Sequence, residues 1–239
     1  MHDTKATTPI HVVLLIPKNS FANGSRSNSK TTVNVDEHLS WVNMVDFFMQ
    51  KGSTFLTLAI RHPNLEKSKG SLQHTMDSFI KSIKTEINEE KRFSLSTYSS
   101  NSQESSNCSR LRIRKTGNFK GTKRELSINL ILFDDGKTEI LNTIKKLVEN
   151  NTPESSLTEE SFRAALPYKD LPDPDMIVTL GSDISLSNPF LWQSAYSELH
   201  SIQSQWEQIG TEEINNIFEI YQSRRRRFGS ISEEPTQQS

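Results

Sequence analysis

The sequence predicts an α/β fold, an open and mainly parallel sheet flanked by helices. Short apolar, β-branched runs of strand length recur along the chain, and stretches with apolar residues at helical spacing lie between them. The 239 residues suffice for one sizeable core, so a single domain is expected rather than two full-sized ones.

Five runs read as buried parallel strands: His11–Ile16, Phe55–Ile60, Leu111–Arg114, Ile128–Phe133 and Met176–Leu180. Residues 36–49 form the first helical pattern, with Leu39, Val42, Val45, Phe48 and Met49 on one broad face, Met44 and Phe47 outside it, and Gly52 as the stop signal. Residues 72–90 repeat the pattern with Met76, Phe79, Ile80, Ile83 and Ile87. Residues 138–150 do so with Ile140, Leu141, Ile144, Leu147 and Val148. Strands alternating with helices imply right-handed crossovers. There is no internal repeat.

Residues 19–32 are rich in Ser, Asn and Lys, and residues 93–109 are serine-rich. Neither stretch can bury enough surface to offset its ordering entropy, and both are expected to be mobile loops. The predicted organisation is a flexible N-terminus (1–9), one domain (10–229) and a disordered polar tail (230–239).

Composition narrows the function classes. AVILMFWYC residues make up 33% of the chain, and even with 9 glycines the total stays below the ~45–50% usual for compact domains. With 28 Lys and Arg against 29 Asp and Glu, the net charge of −1 argues against a globally basic nucleic-acid binder. The single cysteine, Cys108, excludes an internal disulfide framework and a cysteine zinc cluster, and fits a reducing compartment. Val12–Ile16 is far shorter than the ~20 residues a membrane-spanning helix needs, and Met1–Pro9 is too polar for a signal segment, so a cytosolic location is expected.

From Leu171 to Leu199 the chain reads LPDPDMIVTLGSDISLSNPFLWQSAYSEL. This closely resembles the C-terminal signature of the cis-prenyltransferases, the undecaprenyl and dehydrodolichyl diphosphate synthase family: PDPD, a strand, LSN (Leu186–Asn188), then LWQSAYSEL, in that order and spacing. Tyr221–Gly229 (YQSRRRRFG) resembles the family's basic segment ending in Arg-x-Gly. Upstream, HVVLLIPKN (His11–Asn19) sits where the family has a His-strand-Met-Asp-Gly-Asn entry, and NLILFDDGKTEI (Asn129–Ile140) resembles its Asn-Leu-strand-Tyr-Gly-Gly-Arg-x-Glu-Ile segment. The resemblance spans roughly 10–229, strong in the last third and eroded in the first. It implies a parallel sheet and helices around an elongated apolar tunnel for a growing prenyl chain.

The departures from the family pattern are informative. The family joins isopentenyl diphosphate to an allylic diphosphate as pyrophosphate leaves, neutralising the departing charge with Mg²⁺, an Asp at the end of the first strand and arginine forks. Pro17 stands in place of that Asp and Lys18 in place of the glycine after it; Ser20 and Phe21 replace the two arginines that follow, and Asn19 is retained. In the second phosphate segment Thr179 and Ser185 replace arginines, while Asp183, Ser187 and Asn188 are kept. Each lost charged hydrogen bond is worth roughly 1.5–3 kcal/mol, so the combined losses should cost many orders of magnitude in rate. In IRHPN (Ile60–Asn64) the family's aromatic-Ser-x-Glu-Asn motif is absent.

What remains resembles the non-catalytic subunits of heteromeric cis-prenyltransferases, the Nogo-B receptor and its fungal counterparts. The resemblance implies a catalytically complete partner that holds Mg²⁺, to which this chain lends Arg227 and Gly229 across the interface to bind diphosphate. It also implies dehydrodolichyl diphosphate synthesis for dolichol-dependent protein glycosylation, at the cytosolic face of the endoplasmic reticulum, where the long product partitions into membrane. Arg224–Arg227 also fit a solvated helix end, and Arg224–Arg226 attraction to anionic lipid.

Trp192, Tyr196 and Leu199 are spaced i, i+4, i+7, as on a buried helix face, and the family uses this segment at its subunit interface. Glu198 stands where the family has an acidic residue near the metal or subunit junction; a structural hydrogen bond and a site role both fit it. Asp173 and Asp175 fit turn residues bonding nearby backbone better than an acid–base pair. Asp134 and Asp135 fit a strand-to-helix turn better than metal ligation, and His11, His38, His62, His74 and His200 lack zinc spacing. Two other readings stand beside the subunit: a self-sufficient divergent prenyltransferase, and a scaffold without a role in prenyl transfer.

Overall fold

The computed structural model describes residues 8–16, 41–61, 93–94, 109–119, 121–133, 135–181, 188–204, 206 and 209–223. The strands are β1 (His11–Ile16), β2 (Phe55–Arg61), β3 (Phe93–Ser94), β4 (Ser109–Phe119), β5 (Thr122–Phe133), β6 (Met176–Leu180) and β7 (Glu198–Ile202). The helices are α1 (Trp41–Lys51), α2 (Gly136–Glu149), α3 (Glu159–Ala165) and α4 (Thr211–Ser223). One seven-stranded sheet has the order β3-β4-β5-β2-β1-β6-β7. From β5 to β7 every pairing is parallel, and β3, β4 and β5 pair antiparallel. The predicted α/β sheet with flanking helices is the observed one.

β1 is central and buried at every position, which a run of Val, Leu and Ile between two parallel neighbours requires. Its alternate residues feed two cores. Val12, Leu14 and Ile16 join Leu56, Leu58, Ile60, Ile128, Leu130, Met176 and Val178 on the face covered by α1 and α4. Val13 and Leu15 join Ala59, Ile131 and Ile177 on the opposite face, under Tyr168, Leu171 and Phe190. On the first face Phe218 of α4 meets Phe47 and Phe48 of α1, both with ring centroids 5.5 Å away.

α1 stops where its glycine stands. Gly52 has φ +98°, and its N–H and that of Ser53 both donate to Phe48 O at 3.1 Å. The Arg124 guanidinium from β5 donates to Met49 O at 2.6 Å and Gln50 O at 2.7 Å, satisfying carbonyls that a helix end leaves open. Met44, expected outside the apolar face, is buried on it. The described helix begins at Trp41, and residues 36–40 lie outside the described residues, as does the helix expected over 72–90.

Several expectations are corrected. The run Leu111–Arg114 is neither a short strand nor parallel; it belongs to β4, which turns at Gly121 and returns antiparallel as β5. Only two residues separate β4 from β5, and a parallel crossover needs a dozen or more. Of the serine-rich stretch expected as a loop, residues 93–94 form β3 and Ser109 begins β4, and residues 95–108 lie outside the described residues, as do 19–32. The apolar stripe of α2 does not face the core: Leu141, Ile144 and Val148 are exposed, and the buried positions are Gly136, Glu139 and Thr143. No described helix is long and apolar enough to cross a membrane.

The N-terminal ends of the parallel strands are stitched by polar groups. Asp175 Oδ2 accepts the N–H of Ile10 at 2.8 Å and of His11 at 3.1 Å. The buried His11 ring lies 2.7 Å from Pro172 O through Nδ1 and 2.9 Å from Thr57 Oγ1 through Nε2. The carbonyl can only accept, so Nδ1–H donates to it, and Nε2 pairs with a threonine hydroxyl that can serve as donor or acceptor. Asp175→Ala leaves two strand-end N–H groups short of their acceptor. It should lower unfolding free energy by about 1–3 kcal/mol, read as a lower urea midpoint at unchanged slope.

Candidate functional site

In open α/β sheets, ligands bind beyond the carboxyl ends of the strands. Here that pole is formed where β1 ends at Ile16, β2 at Arg61, β5 at Phe133 and β6 at Leu180. Gly181, with φ +88°, turns the chain off β6, its N–H donating to Ile202 O at 2.9 Å. Thr179 is in register with Leu15 on one side and Ser201 on the other. A position that carries an arginine in the resembled family therefore lies beside the strand that leads into Pro17.

The α2 N-terminus points at the same pole. Asp135 has extended backbone (φ −154°, ψ 136°) and accepts the Lys137 N–H at 3.2 Å as the helix cap. Gly136 follows because nothing larger fits: a Cβ there would lie 2.3 Å from Asn188 O and 2.8 Å from Leu191 Cβ. Asn188, 3% exposed, holds the facing turn through Oδ1, which accepts the Phe190 N–H at 2.8 Å. Phe190 is buried and lies edge-on to His11, with centroids 5.4 Å apart. The glycine and Asn188 thus set how closely the segment leading into LWQSAYSEL approaches the helix end.

Sequence reasoning did not single out two basic residues whose backbone positions fall at this pole: Arg61, the last residue of β2, and Lys137, in the first turn of α2. The signal for Lys137 was present, since it follows the glycine of DDGKTEI where the family has its Gly-Gly-Arg. Pro17, Lys18, Asn19, Asp134, Asp183, Ser185, Ser187, Arg227 and Gly229 lie outside the described residues. Among the described residues no three His, Cys, Asp or Glu side chains gather to hold a metal ion.

The other singled-out carboxylates belong to the opposite pole. Asp175 precedes β6 and binds the N–H groups at the entry to β1, far along the chain rather than within its own turn. Asp173 pairs with Arg163 of α3 at 2.7 Å on the surface. Glu198 opens β7 opposite Met176, and its Oε2 lies 3.3 Å from His200 Nε2 with both side chains mostly buried.

The segment 192–199 is not the expected buried helix. Residues Gln193–Tyr196 make one 3₁₀ turn, and β7 begins at Glu198. Asp175 O accepts the Glu198 N–H at 2.9 Å, drawing the chain onto the sheet edge beside β6. Tyr196 is 86% and Leu199 51% exposed. Trp192 packs on Phe162 of α3, centroids 4.6 Å apart, and borders a cleft of about 640 Å³ lined by Ile144, Leu147, Val148 and Leu157. Trp192 therefore joins a surface with the exposed stripe of α2, while Tyr196 and Leu199 are exposed farther along the same segment.

Comparison with known proteins agrees with this architecture. Residues 25–229 match the prenyltransferase family described as "Putative undecaprenyl diphosphate synthase". An isoprenyl transferase of Fusobacterium nucleatum is 25% identical over 228 residues, covering 93% of this chain and 96% of that protein. One from Thermotoga maritima is 28% identical over 209 residues, covering 79% and 83%. In structure, lavandulyl diphosphate synthase from Lavandula x intermedia, solved with dimethylallyl diphosphate, aligns over 93% of this chain and 99% of its own with a TM-score of 0.61 at 19% identity. The chain belongs to the cis-prenyltransferase family, whose members act on isoprenyl diphosphates.

Gly136→Ala tests the close approach at the α2 N-terminus. The contact is with backbone, which cannot swing aside, so overpacking should cost about 1–3 kcal/mol despite the better helix propensity of alanine. A thermal melt reads this, and an unchanged or raised midpoint would refute the contact.

Proposed function

We propose that this chain is the non-catalytic subunit of a heteromeric cis-prenyltransferase of the dehydrodolichyl diphosphate synthase kind. The observation that carries the reading is Pro17, the residue that follows the last residue of β1 in the sequence. In the family reaction a carbon–carbon bond forms between isopentenyl and allylic diphosphates while the allylic carbon–oxygen bond breaks and a proton is lost. Pyrophosphate departs with its charge, which Mg²⁺ neutralises when bound. Proline has neither a carboxylate for the ion nor a backbone N–H for a phosphate oxygen.

Thr179 and Ser185, in place of two arginines, support the same reading, because a hydroxyl supplies no cationic fork. The partner would hold Mg²⁺ and most of the phosphate arginines. This chain would stabilise it through the surface around Trp192, Tyr196 and Leu199 and lend Arg227 and Gly229 to its diphosphate. The polyprenyl product, destined for dolichol and protein glycosylation, would place the complex peripherally at the cytosolic face of the endoplasmic reticulum.

A second reading, a self-sufficient divergent prenyltransferase, is favoured by the near full-length similarity to bacterial isoprenyl transferases and by Lys137 at the pole. One assay separates the two. Purified chain with isopentenyl and farnesyl diphosphates and Mg²⁺ should give no turnover, and adding a homologue with an intact strand-end Asp should restore it. Arg227→Ala should then lower the activity of the mixture about 10-fold or more, in line with losing a charged hydrogen bond. Turnover by the chain alone would establish the second reading.

A further inference from the structure

A strongly basic region lies away from the carboxyl pole. Between residues 109 and 127 the sequence carries Arg110, Arg112, Arg114, Lys115, Lys120, Lys123 and Arg124 against the single acid Glu125, in a chain whose net charge is −1. The rest of the protein is correspondingly acidic, so its charge is polarised.

The fold makes this region an arm. β5 pairs with β2 only from Ser127 onward, so Thr122–Leu126 pair with β4 alone. β4 lies next to the sheet edge, and among the described residues its outer side is paired only where β3 meets Arg114 and Lys115. The arm turns at Gly121, with φ +81°, in open space: a Cβ there would meet nothing within 4 Å. Thr122 and Lys123 beside it are exposed. Arg124 is spent on the end of α1, which anchors the arm to the body. Arg110, Arg112 and Arg114 occupy alternate register positions, opposite Ile131, Asn129 and Ser127. Glu125 offsets little of this charge, lying 3.8 Å from Arg114 with both side chains half exposed.

The arm's turn precedes β5, so it projects beyond the N-terminal ends of the parallel strands, opposite the candidate diphosphate pole.

We propose that the β4–β5 arm docks the protein on an anionic bilayer surface. The complementarity is electrostatic: basic clusters of this size are attracted to acidic headgroups by about 1 kcal/mol per residue near the surface, and the arm lacks the series of aromatic side chains on which nucleic-acid bases stack. The preference for lipid over nucleic acid rests on the prenyl-transfer reading, whereas docking itself requires neither substrate nor partner. The arm's charges also suit a protected sheet edge, a role that charge of either sign fulfils. The sign of the charge is therefore what separates docking from edge protection.

The test is co-sedimentation of the full chain with sucrose-loaded vesicles of phosphatidylcholine alone or with 30% phosphatidylserine (about the anionic fraction used to mimic a cytoplasmic leaflet). The protein should pellet with the anionic vesicles only, and raising salt to about 0.5 M should release it. Arg114→Glu/Lys123→Glu, which keeps the edge charged, should weaken partitioning at least about 10-fold. The milder Arg114→Gln/Lys123→Gln should weaken it less, with circular dichroism unchanged. Equal pelleting with neutral vesicles, no pelleting with anionic ones, an undiminished charge-reversed variant, or tighter retention on single-stranded RNA than on anionic vesicles would each overturn the proposal. Failure here leaves the condensation assay untouched, so the two readings fall separately.

Discussion

The chemistry available at the carboxyl pole depends on one constraint: β1 is held between β2 and β6, buried on both faces, and can sit in only one register. A slip of one residue would exchange Val12, Leu14 and Ile16 for Val13 and Leu15 between two cores lined by different partners. Asp175 fixes the entry to the strand and the ladder fixes its length, so the exit at Ile16 is fixed as well. In the sequence the next residue is Pro17, which carries no carboxylate.

The fold was legible where apolar periodicity alone decides the outcome. His11–Ile16 and Met176–Leu180 are strands with the predicted bounds, because a short run buried on both faces leaves one solution. Sequence reasoning failed where tertiary context overrides the pattern. The i, i+4, i+7 spacing of Trp192, Tyr196 and Leu199 suggested a helix, but hydrogen bonds from Ser197 Oγ to Pro174 O and from the Glu198 N–H to Asp175 O draw that segment onto the sheet edge. The apolar stripe of α2 suggested a core face. A glycine pressed against Asn188 instead turns the helix so that Glu139 and Thr143 are buried.

The site was legible in part, through resemblance more than through physics. The replacements at Pro17 and Thr179 can be seen only against a family pattern, and nothing in spacing or charge would reveal a missing carboxylate. Gly136 lies in a DDG turn that looked like an ordinary connection, and its role appears only when the Asn188 backbone is placed beside it. Arg61 was invisible because a single basic residue after an apolar strand carries no pattern; its interest comes from which end of the sheet it occupies.

The described residues form two poles of different make-up. At the carboxyl pole the strand ends, the Gly181 turn and the capped N-terminus of α2 come together. The opposite pole carries the polar stitching of β1 and β6 and the basic arm. The most direct test of the central claim is calorimetric titration of the isolated chain with farnesyl thiodiphosphate, an unreactive allylic diphosphate analogue, in Mg²⁺ and in EDTA. The expected result is a dissociation constant unaffected by the metal; affinity at least about 10-fold tighter in Mg²⁺ would contradict the loss of the metal anchor at residue 17.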